Sequence, residues 1–227
     1  NGQGDPIPSG YGSAAKGGSI VVVNSTIAEN AVDLSAIGPV GLVDGDSVSI
    51  RNSTIANNDV GDQAYAVRGT DVSLVNTVLS NNGVDGQDDV APGTTLTSNG
   101  HNVFGQSAVA GAEPGDVLGA SSGALFLTGD LADNGGPTET IALLDDPNNP
   151  ALNTADPADA PEIDQRGFLR DATPDIGAFE LDGVPALVVT TLDDVVDAND
   201  GVLSLREAVE QTNAQAGADT ITFADAI

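Results

Sequence analysis

Along the first hundred residues, short stretches of alternating apolar and polar side chains are separated by clusters of Gly, Asp and Asn. Val48-Ser49-Ile50 has the period of two that sends every second side chain to one face of a strand. Thr54-Ile55 reads as a second, shorter strand beyond a polar corner, and Asp44-Gly45 and Asn82-Gly83 read as turns. The whole phrase repeats. Ser19–Asn30, Ser47–Asn58 and Asp71–Asn82 align, with Asn24, Asn52 and Asn76 spaced by 28 and 24 residues. A weaker fourth copy, Thr95–Asn99, places Asn99 another 23 residues on.

One copy cannot bury its own apolar face, so copies at this period must stack. Stacked as coils of a parallel β-helix, their strands pair at about 4.8 Å and like side chains lie over one another in a narrow core. The handedness of parallel crossovers predicts a right-handed coil. Ile27, Ile55 and Val78 should then form one internal stack. Asn24, Asn52 and Asn76 fall at a corner, where Asn tolerates left-handed backbone, and their amides are expected to hydrogen-bond from coil to coil as a ladder. Asn24-Ser25-Thr26 and Asn52-Ser53-Thr54 also match a glycosylation sequon, but their shared repeat position favours the structural role.

From about Ser98 the repeat stops. Asp130–Leu144 reads as a turn and a short strand, and Asp145–Pro161, rich in Pro, Asp and Ala, as an extended surface loop. Arg166 and Arg170, set among many Asp, read as ion-pair staples for loops. The last forty-odd residues form a separate unit. Leu187–Thr191 is a strand, and Asp193–Gly201 is an acidic loop. Ser204-Leu205-Arg206-Glu207 is a capping box opening a helix with Leu205, Ala208, Val209 and Thr212 at helical spacing. Gly217 ends that helix, and Thr220–Phe223 resumes a strand. Such a strand-helix-strand unit suits the open end of a β-helix, which otherwise exposes apolar side chains and unpaired backbone.

Charge narrows the functional field. The 227 residues carry 34 acidic and 6 basic side chains, a formal net charge of −28. Nucleic acid and anionic lipid are therefore excluded as main partners. No apolar stretch is long enough to insert in a membrane. Cys is absent, which removes disulfides and thiolate chemistry. Asp outnumbers Glu 27 to 7, a bias shared by oxygen-rich calcium sites, turn-rich folds and proteins of salty habitats.

Because β-helices also host polysaccharide lyases and glycosidases, an enzyme has to be weighed. Acidic pairs such as Asp88-Asp89 and Asp145-Asp146 carry little information in so acidic a chain. With no Trp, two Tyr and few cations there is little to stack on a sugar or hold a uronate. His101, the only His, sits in a turn-like phrase. The chain is expected not to be an enzyme. Calcium is the better chemistry: Asp193, Asp194, Asp197, Asn199 and Asp200 offer five oxygen-bearing side chains within eight residues. The EF-hand spacing is one residue short, and an acidic turn in an acidic protein explains the loop equally well. Asp85, Asp88 and Asp89 are a weaker second cluster.

Val189-Thr190-Thr191, Asp200-Gly201-Val202-Leu203-Ser204-Leu205-Arg206-Glu207-Ala208 and Ala218–Phe223 together resemble the CSLREA domain, with Leu203 in place of the Cys of that name. Ser98–Val103, Leu131–Thr138, Asp164-Gln165-Arg166-Gly167 and Pro174–Glu180 resemble the choice-of-anchor Q domain. The resemblance implies a secreted or surface-displayed, repetitive bacterial protein. Because the opening-type segment here follows the closing-type one, the chain reads as one register of a tandem array. The resulting expectation is an all-β, right-handed parallel β-helix over 1–97. A β-rich closing segment over 98–183 and a small C-terminal strand-helix-strand capping unit over 184–227 follow it. Its expected role is that of a structural unit of an extracellular fibre or adhesin, binding copies of itself head to tail, with surface polysaccharide and Ca2+ as further ligands. The alternative is a β-helix that binds or cleaves carbohydrate.

Overall fold

Left-handed backbone at two sets of polar residues bends the chain into coils. Asn24, Asn52 and Asn76 have φ of 53°, 47° and 49°, and Glu29, Asn57 and Asn81 lie between 56° and 57°. Both sets fall where a side chain short enough, or polar enough, relieves the left-handed conformation. The structure, a computed structural model, describes residues 13–31, 40–60, 64–83, 89–197, 202–214 and 221–224.

Strands β1 (Ala15–Val23) and β2 (Thr26–Ala28) form the first coil, and β3 (Val40–Arg51) and β4 (Thr54–Ala56) the second. The third is β5 (Ala64–Val75) with β6 (Val78–Ser80). Strands β7 (Thr95–Ser98) and β8 (Val103–Phe104) start a fourth, and β9 (Val117–Leu118) adds a last rung. The long strands pair in the order β1-β3-β5-β7 and the short ones in the order β2-β4-β6-β8-β9, every neighbour parallel. The chain is a parallel β-helix, a solenoid of about three turns.

Its interior is a column of stacked aliphatic side chains. Ile20, Val48, Val72 and Leu96 are register partners, as are Val22, Ile50 and Leu74, and they meet Leu79 and Phe104 in one core. The short-strand stack runs Ile27, Ile55, Leu79, Phe104. Val78 therefore does not join Ile27 and Ile55; it pairs with Thr54, one residue over, which sends its side chain to the opposite face. Asn99 is likewise out of the asparagine position. It continues the register of Val75, and the corner passes to Gly100 and His101, with φ of 86° and 57°. Asp44-Gly45 is not a turn but lies inside β3. Gly17, Gly45 and Gly69 are register partners, and a Cβ on Gly45 or Gly69 would lie 3.0 or 2.9 Å from the carbonyl oxygen of the coil beside it. Close approach of backbones, not a hairpin, demands glycine there.

The outward face of the short strands is covered too. Ala28, Ala56, Val78 and Val103 pack with Leu125, Phe126, Ile141, Leu143, Ala151, Ile176 and Phe179 in a second core. These residues come from a segment that runs back along the side of the solenoid. It carries helix α1 (Ser122–Leu125), the isolated bridges Phe126–Leu143 and Ala132–Thr140, and strand β10 (Phe168–Leu169). It reaches the first coil at Glu29, the second at Asn57 and the third at Asn76. Strand β11 (Val184–Pro185) pairs antiparallel with β10. Beyond it, β12 (Val188–Val189) pairs parallel with β13 (Thr222–Phe223), with α2 (Leu205–Ala214) between them in the chain.

A true amide ladder exists six residues beyond the expected one. Asn30 Nδ2 donates to Asn58 Oδ1 at 2.9 Å, Asn58 Nδ2 to Asn82 Oδ1 at 2.7 Å, and Asn82 Nδ2 to Asp89 Oδ1 at 3.0 Å. Asn58 also caps the carbonyls of Ile27 and Ala56 and is 2% exposed. Asn58→Ala should strand these buried groups and cost about 2–3 kcal/mol, since each orphaned buried group costs roughly 1–3 kcal/mol. The urea midpoint should fall with an unchanged m-value.

Candidate functional site

Three phrases of the non-repeating segment, at Leu131–Thr138, Asp164–Gly167 and Pro174–Glu180, converge. Asp164, with its side chain wholly buried, accepts at Oδ1 from the backbone N–H of Arg166 and Phe168 and at Oδ2 from that of Glu180. Arg166 forms an ion pair with Asp164 Oδ2 at 2.7 Å and donates to the carbonyls of Asn134 and Glu180. Its guanidinium lies between two rings, 4.1 Å from the centroid of Phe168 and 3.7 Å from that of Phe179. A planar, delocalised cation is what such a slot accepts; a lysine ammonium has neither the fork nor the flat faces. Gly136, at φ 85°, leaves only 2.6 Å between a would-be Cβ and Arg166 Cα, which brings Gly135-Gly136-Pro137 against the same side chain.

Arg170 makes the second pair, 3.1 Å from Glu180 Oε2. It also donates to the carbonyls of Asp175 and Gly177, and it reaches the first coil at Asn24 Oδ1, 3.0 Å away. Glu180 accepts further from the N–H of Asp175 and Asp171, and Asp175 from the N–H of Asn153 and Leu181. Both arginines are thus ion-pair staples, and the second joins the flank to the solenoid. Burial pushes the carboxyls of Asp175 and Glu180 above their ordinary range, against the pull of backbone N–H bonds and of Arg170. Burial lowers the Arg170 guanidinium, opposed chiefly by Glu180.

These shifts fix a sign. A carboxyl raised in the folded state binds protons there that the unfolded chain has released, so stability falls as pH rises from about 4 through the raised values. Loss of self-repulsion in a chain of charge −28 acts in the same direction on acidification. Asp146 and Asp194 are lowered, by hydrogen bonds from Asn148 and Arg206 respectively, so their contribution is lost only below the ordinary carboxylate range. The urea midpoint should be higher at pH 5 than at pH 8, and Glu180→Gln should flatten that slope.

The predicted asparagine ladder is replaced by contacts with the flank. Asn24 Nδ2 donates to the Ile163 carbonyl, and Asn76 exchanges two bonds with the Asp156 backbone, at 2.9 and 2.8 Å. Asn52 is fully buried and its amide bonds neither neighbour. In the folded chain, that burial keeps the Asn52 sequon out of reach of any glycosylating enzyme. The coil-to-coil bonds to side chains at this corner are made by the next residues instead: Ser25 N–H to Ser53 Oγ, Thr77 N–H to Asn102 Oδ1, Asn102 N–H to Asp116 Oδ1. His101 holds the corner and bonds the Thr154 carbonyl through Nδ1 at 2.7 Å.

In the C-terminal unit, Ser204 and Glu207 form the reciprocal cap: Glu207 N–H to Ser204 Oγ at 3.3 Å, Ser204 N–H to Glu207 Oε2 at 2.8 Å. Glu207 also accepts from the Asp197 N–H, and Asp194 takes both the Nε and Nη2 of Arg206. These two contacts, invisible in the spacing, tie the acidic loop to the helix. Asp193, Asp194 and Asp197 are exposed. Asn199 and Asp200 lie outside the described residues, as do Gly217, Asp85 and Asp88. Asp89 ends the amide ladder. Among the described residues, no group of three or more His, Cys, Asp or Glu is clustered to hold a metal ion, and no helix is long and apolar enough to cross a membrane.

Two surfaces stand out among the described residues. A groove of about 520 Å³ follows the glycine column across the long strands, lined by Lys16, Asp44, Arg68, Thr70 and Thr94 among others. Arg68 pairs there with Asp44 at 2.9 Å. The other is apolar. Leu192, Val195, Val196, Val202, Leu205, Val209 and Phe223 are all exposed on the strand-helix-strand unit, while Ala208 faces inward. The helical spacing of Leu205, Ala208 and Val209 thus marks a face that the described residues cover only in part. Comparison with protein-family models, with curated proteins and with solved structures finds no significant match.

Proposed function

We propose that this β-solenoid is a structural unit of an extracellular fibre or cell-surface adhesin whose units join head to tail. One observation carries the reading: among its described residues, the strand-helix-strand unit exposes large apolar side chains from Val188 to Phe223, on and beside a two-stranded parallel sheet. Parallel strands are normally buried on both faces. The partner is the first coil of another copy, whose strands run parallel at the same spacing and whose contact would repeat without closing. The resemblance to choice-of-anchor Q and CSLREA domains supports the same role. So does the use of the buried charges: Asp164, Asp175 and Glu180 are spent on backbone N–H groups and arginines. Calcium belongs to this proposal as the ion of the loop from Asp193 to Asp200, where it would neutralise part of the acidic charge.

A second reading, carbohydrate binding, is favoured by the polar groove beside Lys16 and Arg68. Negative-stain microscopy and sedimentation of the purified chain separate the two. Filaments with a regular axial repeat support assembly, and their loss in Leu205→Glu/Val209→Glu assigns it to the apolar face. Monomers at all concentrations, with saturable binding to a polysaccharide panel, would replace the first reading by the second. For calcium, the expected result is a higher midpoint of thermal unfolding in millimolar calcium than in EDTA. Equal midpoints remove the ion from the proposal.

A further inference from the structure

We propose that ordered water is bound between the Asn52 amide and Arg170, as a permanent joint between the second coil and the flank. Asn52 is 0% exposed, yet neither its Oδ1 nor its Nδ2 has a hydrogen-bond partner, and the buried Nε of Arg170 has none either. Three orphaned polar atoms in one interior would carry a desolvation cost that native proteins rarely leave unmet.

The bonds around them bring Arg170 to the column of corners that holds Asn52. Asn24 and Asn52 occupy the same corner of successive coils, about 4.8 Å apart. Arg170 Nη2 holds Asn24 Oδ1 on one side and the Gly177 carbonyl on the other. Gly177 donates its N–H to the Asn76 carbonyl, one coil beyond Asn52, and a Cβ added to it would meet Thr54 Oγ1 at 2.7 Å. The guanidinium therefore spans the level of Asn52. The flank supplies a carbonyl to Asn24 and both a carbonyl and an N–H to Asn76. For the middle asparagine it supplies neither.

The chemistry of the site selects its occupant. Nδ2 and Nε donate and Oδ1 accepts, so the ligand must accept two bonds and donate at least one. A cation is repelled by Arg170. An anion finds no welcome at Oδ1 or near Glu180, which already pairs with Arg170. Water meets the pattern, and buried waters commonly make about three bonds of this kind.

A crystal structure of the unmodified protein at 1.5 Å or better tests this directly. The expected result is one or two fully occupied waters within hydrogen-bond distance of the Asn52 amide and Arg170 Nε. A dry site, or an ion in its place, overturns the proposal. Stability gives a second test through Asn52→Gly, which keeps the left-handed backbone and deletes the amide. A hydrated amide predicts about a tenfold fall in the folding equilibrium constant. If the variant is as stable as the parent or more so, the amide is a dry orphan and the proposal fails.

Discussion

Arg166→Leu should destabilise the protein by about 3–5 kcal/mol, the range for removing one partner of a buried ion pair. The argument begins with Asp164. Its carboxylate has 0% side-chain exposure, so once the cation is gone the charge stays buried. Its three backbone N–H donors soften the loss without replacing the arginine. Two carbonyls, of Asn134 and Glu180, lose their donor as well, and the slot between Phe168 and Phe179 loses a cation at about 4 Å from each ring. At roughly 2–4 °C per kcal/mol for a chain of this size, the melting temperature should drop by about 10 °C. Arg166→Lys should recover less than half of that, because an ammonium cannot bond Asp164, Asn134 and Glu180 at once while lying flat between rings. A loss below about 1 kcal/mol for Arg166→Leu would mean that the network is decoration and that apolar packing alone holds the flank.

How far the residues announce all this differs from one part of the chain to another. The solenoid is legible because its repeat is carried by backbone demands. A left-handed corner needs Asn or its like, an interior rung needs Ile, Val or Leu, and both needs recur once per coil, as at Asn24-Ser25-Thr26-Ile27 and Asn52-Ser53-Thr54-Ile55. Which asparagine makes the ladder is not legible, since Asn24 and Asn30 repeat equally well; only the position of the flank decides it. The flank hides because its contacts are long-range. Gln165 reaches Thr26, Asp156 reaches Asn76 and Arg170 reaches Asn24 across 80 to 146 residues, and no periodicity records such a pairing. A usable hint was present: Ala28, Ala56 and Val103 stand at outward positions where an open strand would carry polar side chains. The glycine column is a second hint, masked by the resemblance of Asp44-Gly45 to a turn. In the C-terminal unit the capping box is readable because it is local. Whether its apolar face is covered depends on what the unit meets.

Gly177→Val should release the flank while the coils persist, at a cost of about 3–5 kcal/mol. Two independent terms add. At φ 108° a β-branched residue bears roughly 1–3 kcal/mol of backbone strain, and its Cβ would stand 2.7 Å from Thr54 Oγ1 and 3.3 Å from a methyl of Val78, an overpacking worth about another 1–3 kcal/mol. The neighbours cannot yield cheaply. Thr54 Oγ1 accepts the Ala178 N–H at 3.1 Å, and Gly177 itself donates to the Asn76 carbonyl at 3.0 Å, so a shift that clears the clash breaks the two bonds seating this turn on the second and third coils. Limited proteolysis should then cut within 145–183 well before any site in the coils, and circular dichroism should keep its β signal. Comparing Gly177→Ala in the parent and in a Thr54→Ala background separates the terms, because the backbone strain is common to both and only the contact between the new Cβ and Oγ1 is lost. If cleavage instead begins in the coils, the second core over Ala56 and Val78 is not a separable layer, and solenoid and flank unfold as one cooperative body.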